Sequence, residues 1–593
     1  MIKIYSSIKF IALLFSVLFT AALFTGCKKN TDIPVIDNGN PPDLTTKVKS
    51  SVSGFVTDEN DLPVNIATVQ IGTATITTDK YGYFEATNVD VVKEAAVVTV
   101  NKTGYFKSIK TYMAEEGKSA FFRIKLIRKT NAGTVSATSG GAVTLANGLS
   151  ITLPANGVVN AGTNAAYTGT VNVAAYWLNP TATDLPNTMP GDLRGINTNG
   201  NAQLLTTFGM AAIELTGSGG ELLQIATGKK ATLSLPIPSS LLSSAPATIP
   251  LWYFDEAKGL WKEEGAATKT GSNYVGEVSH FSFWNVDVPC NFVELSATLI
   301  TDRNNQPLQN ARVKVSVVGN PANFRYGYTN SSGYVSGPVP ANSQLLFEVF
   351  RNAGCSTLLY SRNITTVTVN VSLGIITIPF TNNNMAFISG TAVNCSNAPV
   401  TNGYVMVFSG SNYTRMNLNN AGTYLGMLSL CSNAATPVTL IAEDLATNMT
   451  SGTLNINIVP GSNTIPPIQV CTSVPEFVNL TKNGITQTYH YLSLLGDNTS
   501  YAVYFYVDPA KTIFAGHLQI INAGIGQGST QVLHTFSSGG SNMVITNPPV
   551  NVSITEYGTI GQYMAGNFSG NFLQPPTNTP YAITCSFRIK RTF

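Results

Sequence analysis

Apolar and polar residues alternate with a period of two over short runs along much of the chain. Tyr501, Val503, Phe505 and Val507 alternate with Ala502, Tyr504 and Tyr506, and Val367, Val369, Val371 and Leu373 alternate with Thr368, Asn370 and Ser372. Successive side chains of a strand point to opposite faces, so a period of two predicts strands with one face on a core. Each run is expected to place its first set on one face and its second on the other. Gly, Pro, Asn and Asp separate the runs and supply turns. Residues 250–255 and 260–265 predict a hairpin turning over 255–259, with Trp252 and Trp261 meeting across the strands. Residues 566–572 and 584–588 predict a second hairpin that closes the chain.

One pattern is written three times. Asp58, Asp302 and Asn394 each stand five residues before a proline (Pro63, Pro307, Pro399), and Val69, Val313 and Val405 each follow that proline by six. A second block comes after each, at 78–84, 329–335 and 418–424, centred on Gly82, Gly333 and Gly422. The first block predicts a strand, a polar turn and a second strand beginning near the proline. The second predicts a hairpin in which Gly supplies a positive φ beside an Asp or Asn that tolerates the turn. This pattern resembles the carboxypeptidase regulatory-like domain, which implies a transthyretin-like β-sandwich at 49–130, 290–384 and 385–472. That module accompanies enzymes, transporters and adhesins alike, so the resemblance implies a fold and no activity.

Residues 131–289 break the repeat. They hold the Pro250-Leu251-Trp252 hairpin and end in Ser279-His280-Phe281-Ser282-Phe283-Trp284. The segment resembles the β-sandwich of netrin receptors, ankyrins and a self-cleaving death-domain adaptor. The self-cleaving relatives break the chain between Phe and Ser of this tripeptide. The resemblance therefore makes His280, Phe281 and Ser282 candidates for autoproteolysis, with Ser282 attacking the Phe281 carbonyl and His280 taking the proton. Non-cleaving relatives use the same tripeptide to close a strand, which is the role expected here. Residues 473–593 form a further β domain that looks like the C-terminal module of small bacterial lipoproteins.

Composition sharpens the fold class. Charged residues are 11% of the 593, against about 25% in ordinary domains. Lys, Glu and Arg clothe exposed helix faces, so their scarcity argues against a helical protein. The expectation is an all-β chain of tandem β-sandwich domains. Net charge is +3, with no basic block after the first thirty residues, which excludes a nucleic-acid-binding surface. No zinc-peptidase motif surrounds His280, His490, His517 or His534, and no C-x-x-C, P-loop or G-x-S-x-G occurs. The acids at 58–61 read as a solvated turn. No metal, no cofactor and no catalytic activity are expected.

The first residues carry an address. Lys3 and Lys9 precede an apolar run at 10–24, then Thr25-Gly26-Cys27. The run falls short of the roughly 20 residues a membrane span needs, and it reads as an export signal. It resembles a bacterial lipobox, with Phe24 where Leu is usual. This implies a signal peptide at 1–27, a lipid on Cys27 and a flexible tether at 28–48. By the same resemblance, Lys28 after the cysteine permits sorting to an outer membrane or cell surface. Six cysteines remain, and an even number behind an export signal suggests disulfides. The expected pairs are Cys395 with Cys431, Cys290 with Cys355, and Cys471 with Cys585. The function expected is a non-catalytic surface scaffold that binds protein or polysaccharide. The alternatives are self-cleavage at Phe281-Ser282, or a carbohydrate-binding accessory using exposed Trp or Tyr platforms.

Overall fold

The computed structural model describes residues 39–592, apart from 351–356, 381–384, 411, 448, 474–475, 483–484, 490, 497–499, 508–510, 522–524, 539–540 and 546–548. The expected signal peptide, Cys27 as the expected lipidation site, residues 28–38 of the expected tether, Cys355 and His490 lie outside the described residues. Among the described residues, helix is confined to one turn at Leu185–Thr188 and a 3-10 segment at Ser239–Ser244. The chain is all-β, built of β-sandwiches.

The first sandwich pairs a three-stranded sheet with a four-stranded one. The first sheet runs Tyr83–Val92, Lys47–Thr57, Ser119–Lys125, and the second runs Ala74–Thr77, Thr68–Ile71, Ala96–Asn101, Ser108–Tyr112. Residues 292–378 repeat the plan, with Tyr334–Pro340, Phe292–Thr301 and Val371–Ile378 in the smaller sheet. In both, the opening strand pairs antiparallel with the fourth strand and parallel with the seventh. In the third copy Met385–Asn394 again lies between an antiparallel neighbour, Thr423–Ser429, and parallel neighbours at Gly461–Thr464 and Ile468–Ser473. There Met449–Ser451 pairs with both Thr436–Asp444 and Ile468–Ser473, so the two sheets run into one.

The repeated residues cause the repeated plan. In the second block, the side-chain oxygen of Asp79, Asn330 or Asn419 accepts two backbone N–H groups, those of the second and fourth residues beyond it, at 2.9–3.0 Å. Gly82, Gly333 and Gly422 take φ of 71°, 73° and 69°. A Cβ at these positions would run into the carbonyl oxygens of Val56, Leu299 and Ala392. The hairpin is thereby seated against the opening strand, whose N–H groups bond the three glycine carbonyls at 2.8 Å. In the first block, Asp58 and Asn394 cap their turns in the same way. The second copy differs, because Asp302 instead accepts from Phe380 N at 2.8 Å and the turn passes through Asn304 and Asn305 at positive φ.

Residues 131–290 form one wrapped sheet of thirteen strands, with the long buried strand Ala202–Thr216 at its centre. The tryptophan hairpin is Thr248–Asp255 against Leu260–Thr270. Its register sets Trp261 opposite Phe254 and Trp252 opposite Glu263, so the two tryptophans do not face each other directly. Both are fully buried and cannot serve as exposed sugar platforms. Gly259 closes the turn at φ 68°, and its carbonyl accepts from Thr111 of the first sandwich at 2.5 Å.

The C-terminal region holds an eleven-stranded sheet. Tyr563–Gln574 and Thr579–Lys590 pair without a break from Tyr563↔Lys590 to Gln574↔Thr579. Tyr501, Val503 and Phe505 are buried as the alternation predicts, and the strand ends at Tyr506, leaving Val507 exposed. The other alternating run departs from expectation. Val367 and Val369 precede the strand Val371–Ile378 and are 52% and 64% exposed. The chain there is crossing between sheets, and Asn370 accepts from Glu294 N instead of extending the strand.

The expected cysteine pairs need correction. Cys395, Cys471 and Cys585 carry free thiols, so neither Cys395–Cys431 nor Cys471–Cys585 is formed. The antiparallel register pairs Met385 with Ser429 and Thr391 with Thr423, which puts Cys431 near one end of the opening strand and Cys395 past the other. About ten residues of strand at roughly 3.4 Å each separate them. Cys585 is buried among Val478, Leu480 and Phe568 in the C-terminal core. Cys290 and Cys431 are each held in a disulfide and offer no free thiol. Cys355, the expected partner of Cys290, lies outside the described residues.

The sandwiches do not hang as separate beads. Phe106, Ile109 and Ile127 of the first share a core with Leu178, Trp252, Phe254 and Trp261 of the second. Phe55 and Tyr81 of the first pack on Tyr404, Met406 and Tyr413 of the third repeat. Asn330 of the second repeat donates to Ser119 O at 2.7 Å. The first sandwich is therefore the hub against which the next three bodies pack.

Candidate functional site: a cavity where three sandwiches meet

A cavity of about 210 Å³ lies where the first sandwich, the wrapped middle body and the second repeat converge. Strands of all three bodies and the short helix build it. Ser108–Tyr112 supplies Lys110 and Tyr112, Ser119–Lys125 supplies Phe121 and Arg123, Phe292–Thr301 supplies Glu294, and Asn320–Tyr328 supplies Arg325, Tyr326 and Tyr328. Leu185–Thr188 closes one side with Leu185 and Pro186.

The charges are unusual for such a place. Lys110 is only 2% exposed, and its ammonium donates to the carbonyls of Pro186 at 2.8 Å and Met189 at 2.6 Å. Burial pushes its pKa down to about 7. Glu294 is pushed up to about 7 by burial, which outweighs the attraction of Arg194. Its Oε2 is buried and has no hydrogen-bond partner. Arg325 donates from Nη2 to Leu205 O at 2.7 Å, while its Nε is buried without a partner. Desolvation lowers its pKa to about 10, against the pull of Asp287 and Asp192. The guanidinium of Arg123 lies over Phe121 and Tyr328, 5.9 and 5.7 Å from their centroids. A desolvated acceptor and donor left unsatisfied are costly in a folded protein, and they mark a place where a polar ligand would complete the bonding.

None of these residues stood out in the sequence. The available signal was a charged residue beside aromatics in a charge-poor chain: Phe121-Phe122-Arg123 and Phe324-Arg325-Tyr326. Alternation alone hides them, because a strand buried on both faces by a neighbouring domain carries no outward polar set.

The residues singled out earlier lie elsewhere. Gln224 clamps the Phe281 peptide from both sides, accepting from Phe281 N at 2.7 Å and donating to Phe281 O at 3.0 Å. Ser282 donates its hydroxyl forward to Phe283 O at 3.1 Å. His280 packs its ring on Tyr253 and Trp284, and its carbonyl accepts from the Trp284 indole at 2.9 Å. Burial lowers the His280 pKa, with Glu264 opposing. The hydroxyl is thus engaged with Phe283 O, and the Phe281 carbonyl with Gln224. His517 sits mid-strand between Ser537 Oγ, 2.7 Å from Nδ1, and Thr535 Oγ1, 3.0 Å from Nε2. In the turn at 58–61, Glu59 meets Arg128 and Asp61 meets Lys125, both at 3.1 Å. Among the described residues no three His, Cys, Asp or Glu gather as a metal site. No helix among them is long and apolar enough to cross a membrane.

No family model matches the chain. Cartilage intermediate layer protein 2 of Mus musculus is 28% identical over 163 residues, 26% of this chain. The chain spans only 14% of the length of that relative. Among solved structures, the TIE protein of Bacillus anthracis aligns with 72% of this chain and 50% of its own, at 8% identity and a TM-score of 0.16. The shaft pilin SpaA of Lactobacillus rhamnosus GG aligns over 31% of this chain and 98% of its own, at 11% identity and a TM-score of 0.17. A DUF3823 family protein of Bacteroides ovatus aligns over 35% and 98%, at 12% identity and a TM-score of 0.12. TM-scores this low leave architecture and function to be argued from the chain itself.

Proposed function

We propose that this protein is a non-catalytic surface scaffold, anchored by a lipid on Cys27, whose body holds a small polar ligand between its first three sandwiches. The observation that carries the reading is the pair of buried, unpartnered polar atoms, Glu294 Oε2 and Arg325 Nε, in a cavity walled by aromatic rings. A saccharide unit matches that wall. Its hydroxyls both donate and accept, and its ring offers an apolar face to Tyr and Phe. The polysaccharide-binding role thus rests on this cavity and not on the buried tryptophans. The same reading takes the three repeats as carboxypeptidase regulatory-like domains, which the three-plus-four strand plan of the first two and the opening-strand pairing common to all three support. It takes residues 131–289 as a relative of the netrin-receptor and ankyrin sandwich.

Two experiments test it. A glycan array probed with the mature protein should give binding that Glu294→Gln weakens at least about tenfold, the effect of losing one good hydrogen bond to a charged group. An array without binding, or binding indifferent to Glu294→Gln, would remove the ligand from this cavity. Anchoring is tested separately: the wild type should enter the detergent phase and Cys27→Ala should not, because the acyl chains supply the membrane affinity. Equal partitioning of both proteins would refute the lipid.

A further inference from the structure

The third repeat brings two free thiols side by side. Met385–Asn394 and Ile468–Ser473 run parallel, with Ala392↔Ile468, Val393↔Gln469 and Asn394↔Val470 in register. The next residue along each is a cysteine, Cys395 just past the end of the first strand and Cys471 within the second. Neighbouring strands lie about 4.7–4.9 Å apart, inside the roughly 4.4–6.8 Å between Cα atoms that a disulfide spans. Cys395 is exposed and Cys471 half-buried, so an oxidant reaches both. The neighbouring Cys395 thiol holds that of Cys471 above its ordinary pKa.

We propose that Cys395 and Cys471 close a disulfide that staples the first strand of this repeat to its last. The oxidant is a disulfide of a small thiol or of a thiol oxidoreductase, as an exported chain meets outside the cytosol. Cys395, more exposed and less restrained, attacks first as its thiolate. It forms a mixed disulfide and expels one donor thiolate. Cys471 then loses its proton and attacks the Cys395 sulfur, expelling the second. Two protons and two electrons leave the protein, and the donor disulfide becomes two thiols. The reading depends on export only for this oxidant.

The bond has a mechanical consequence. The chain enters the repeat at Met385 and leaves it at Ser473, and these are the termini of the two stapled strands. A pull along the chain would pass from one strand to the other through the bond. The intervening residues, 396–470, would be shielded from extension. At about 3.3–3.6 Å per residue, that withholds roughly 250 Å of chain. A scaffold anchored at one end and gripped further along would keep this repeat from unravelling.

Peptide mapping of the purified mature protein, equilibrated with oxidised glutathione and alkylated without reduction, tests the bond. The expected result is one linked peptide pair containing Cys395 and Cys471, lighter than the reduced pair by two hydrogens and separated by dithiothreitol. Recovery of both as alkylated thiols, or either joined to another cysteine, would overturn the proposal. Force spectroscopy reads the consequence. The oxidised protein should release roughly 250 Å less contour length than the reduced protein or the Cys395→Ser, Cys471→Ser double variant. Equal lengths would overturn the shielding.

Discussion

Single residues in the cavity set opposite pH dependences. Glu294 has its pKa raised by folding, to about 7, so the folded state holds its proton where the unfolded chain has released it. That favours folding at acid pH and is lost as pH rises from the ordinary carboxylate range through 7. Lys110 has its pKa lowered, to about 7, so the folded state sheds a proton that the unfolded chain keeps. Stability from this group rises with pH from 7 toward the ordinary lysine value. Together they should produce a minimum near neutrality, with limbs on the order of 3 kcal/mol for Glu294 and 5 kcal/mol for Lys110. Denaturation midpoints across pH should show Glu294→Gln flattening the acid limb and Lys110→Met the alkaline one. Limbs unchanged in the variants would refute this assignment. At the tripeptide, the forward bond from Ser282 to Phe283 O argues for an uncut chain. A denaturing gel should show one full-length band; two fragments split after residue 281, abolished by Ser282→Ala, would establish cleavage instead.

Elements show how a repeated motif tolerates some changes and not others. In the first two copies a threonine after the third strand locks the turn. Thr78 accepts from Ala67 N at 2.8 Å and donates to Val64 O at 2.7 Å, and Thr329 does the same with Ala311 N at 2.9 Å and Leu308 O at 2.5 Å. The turn residue opposite is Ile66 in one copy and Asn310 in the other, both at φ 55°. A β-branched residue is strained in that region and Asn is not. Ile66→Asn is therefore expected to raise stability by about 1 kcal/mol in denaturant melts. Gly82→Ala and Gly333→Ala are expected to cost upward of about 1 kcal/mol each, since positive φ and a facing carbonyl both oppose a Cβ. Gly104→Ala, at φ 85° with open space around it, should cost less. Equal losses at Gly82 and Gly104 would show that the carbonyl contact is unimportant.

At the scale of the whole molecule, the first sandwich is tied to the third repeat by a cation held between aromatics. Arg415 lies 4.2 Å from the Tyr83 ring centroid and 3.8 Å from that of Tyr404, with Asp79 at 3.8 Å. Lys80 pairs with Glu443 at the edge of the same contact. A partly desolvated cation over two rings contributes up to about 2 kcal/mol. A double-mutant cycle of Arg415→Met with Tyr404→Leu should return a coupling on the order of 1–2 kcal/mol, with Arg415→Met exposing the joint to protease. Additive losses would mean that the two side chains act independently.

What could be read without the fold was whatever depends on neighbours along the chain. The Asp, Asn and Gly spacing fixed the Asx turns, that of Asp302 excepted, and period-two burial fixed the strand of Tyr501, Val503 and Phe505, because both are local backbone geometry. Charge scarcity fixed the all-β class for the same reason, as helix faces need residues this chain lacks. Contacts between distant segments were decided only by tertiary structure. Val367 and Val369 share the alternating pattern but lie on a crossover, which a pattern cannot distinguish from a strand. Cys395 and Cys431 are close in sequence, yet an antiparallel register carries them to opposite ends, while a parallel one brings Cys471 from far along the chain. Lys110 belongs to the first sandwich and Glu294 and Arg325 to the second repeat, and their burial exists only once the bodies meet. Desolvation is a property of the packed junction, so no single stretch of sequence records it.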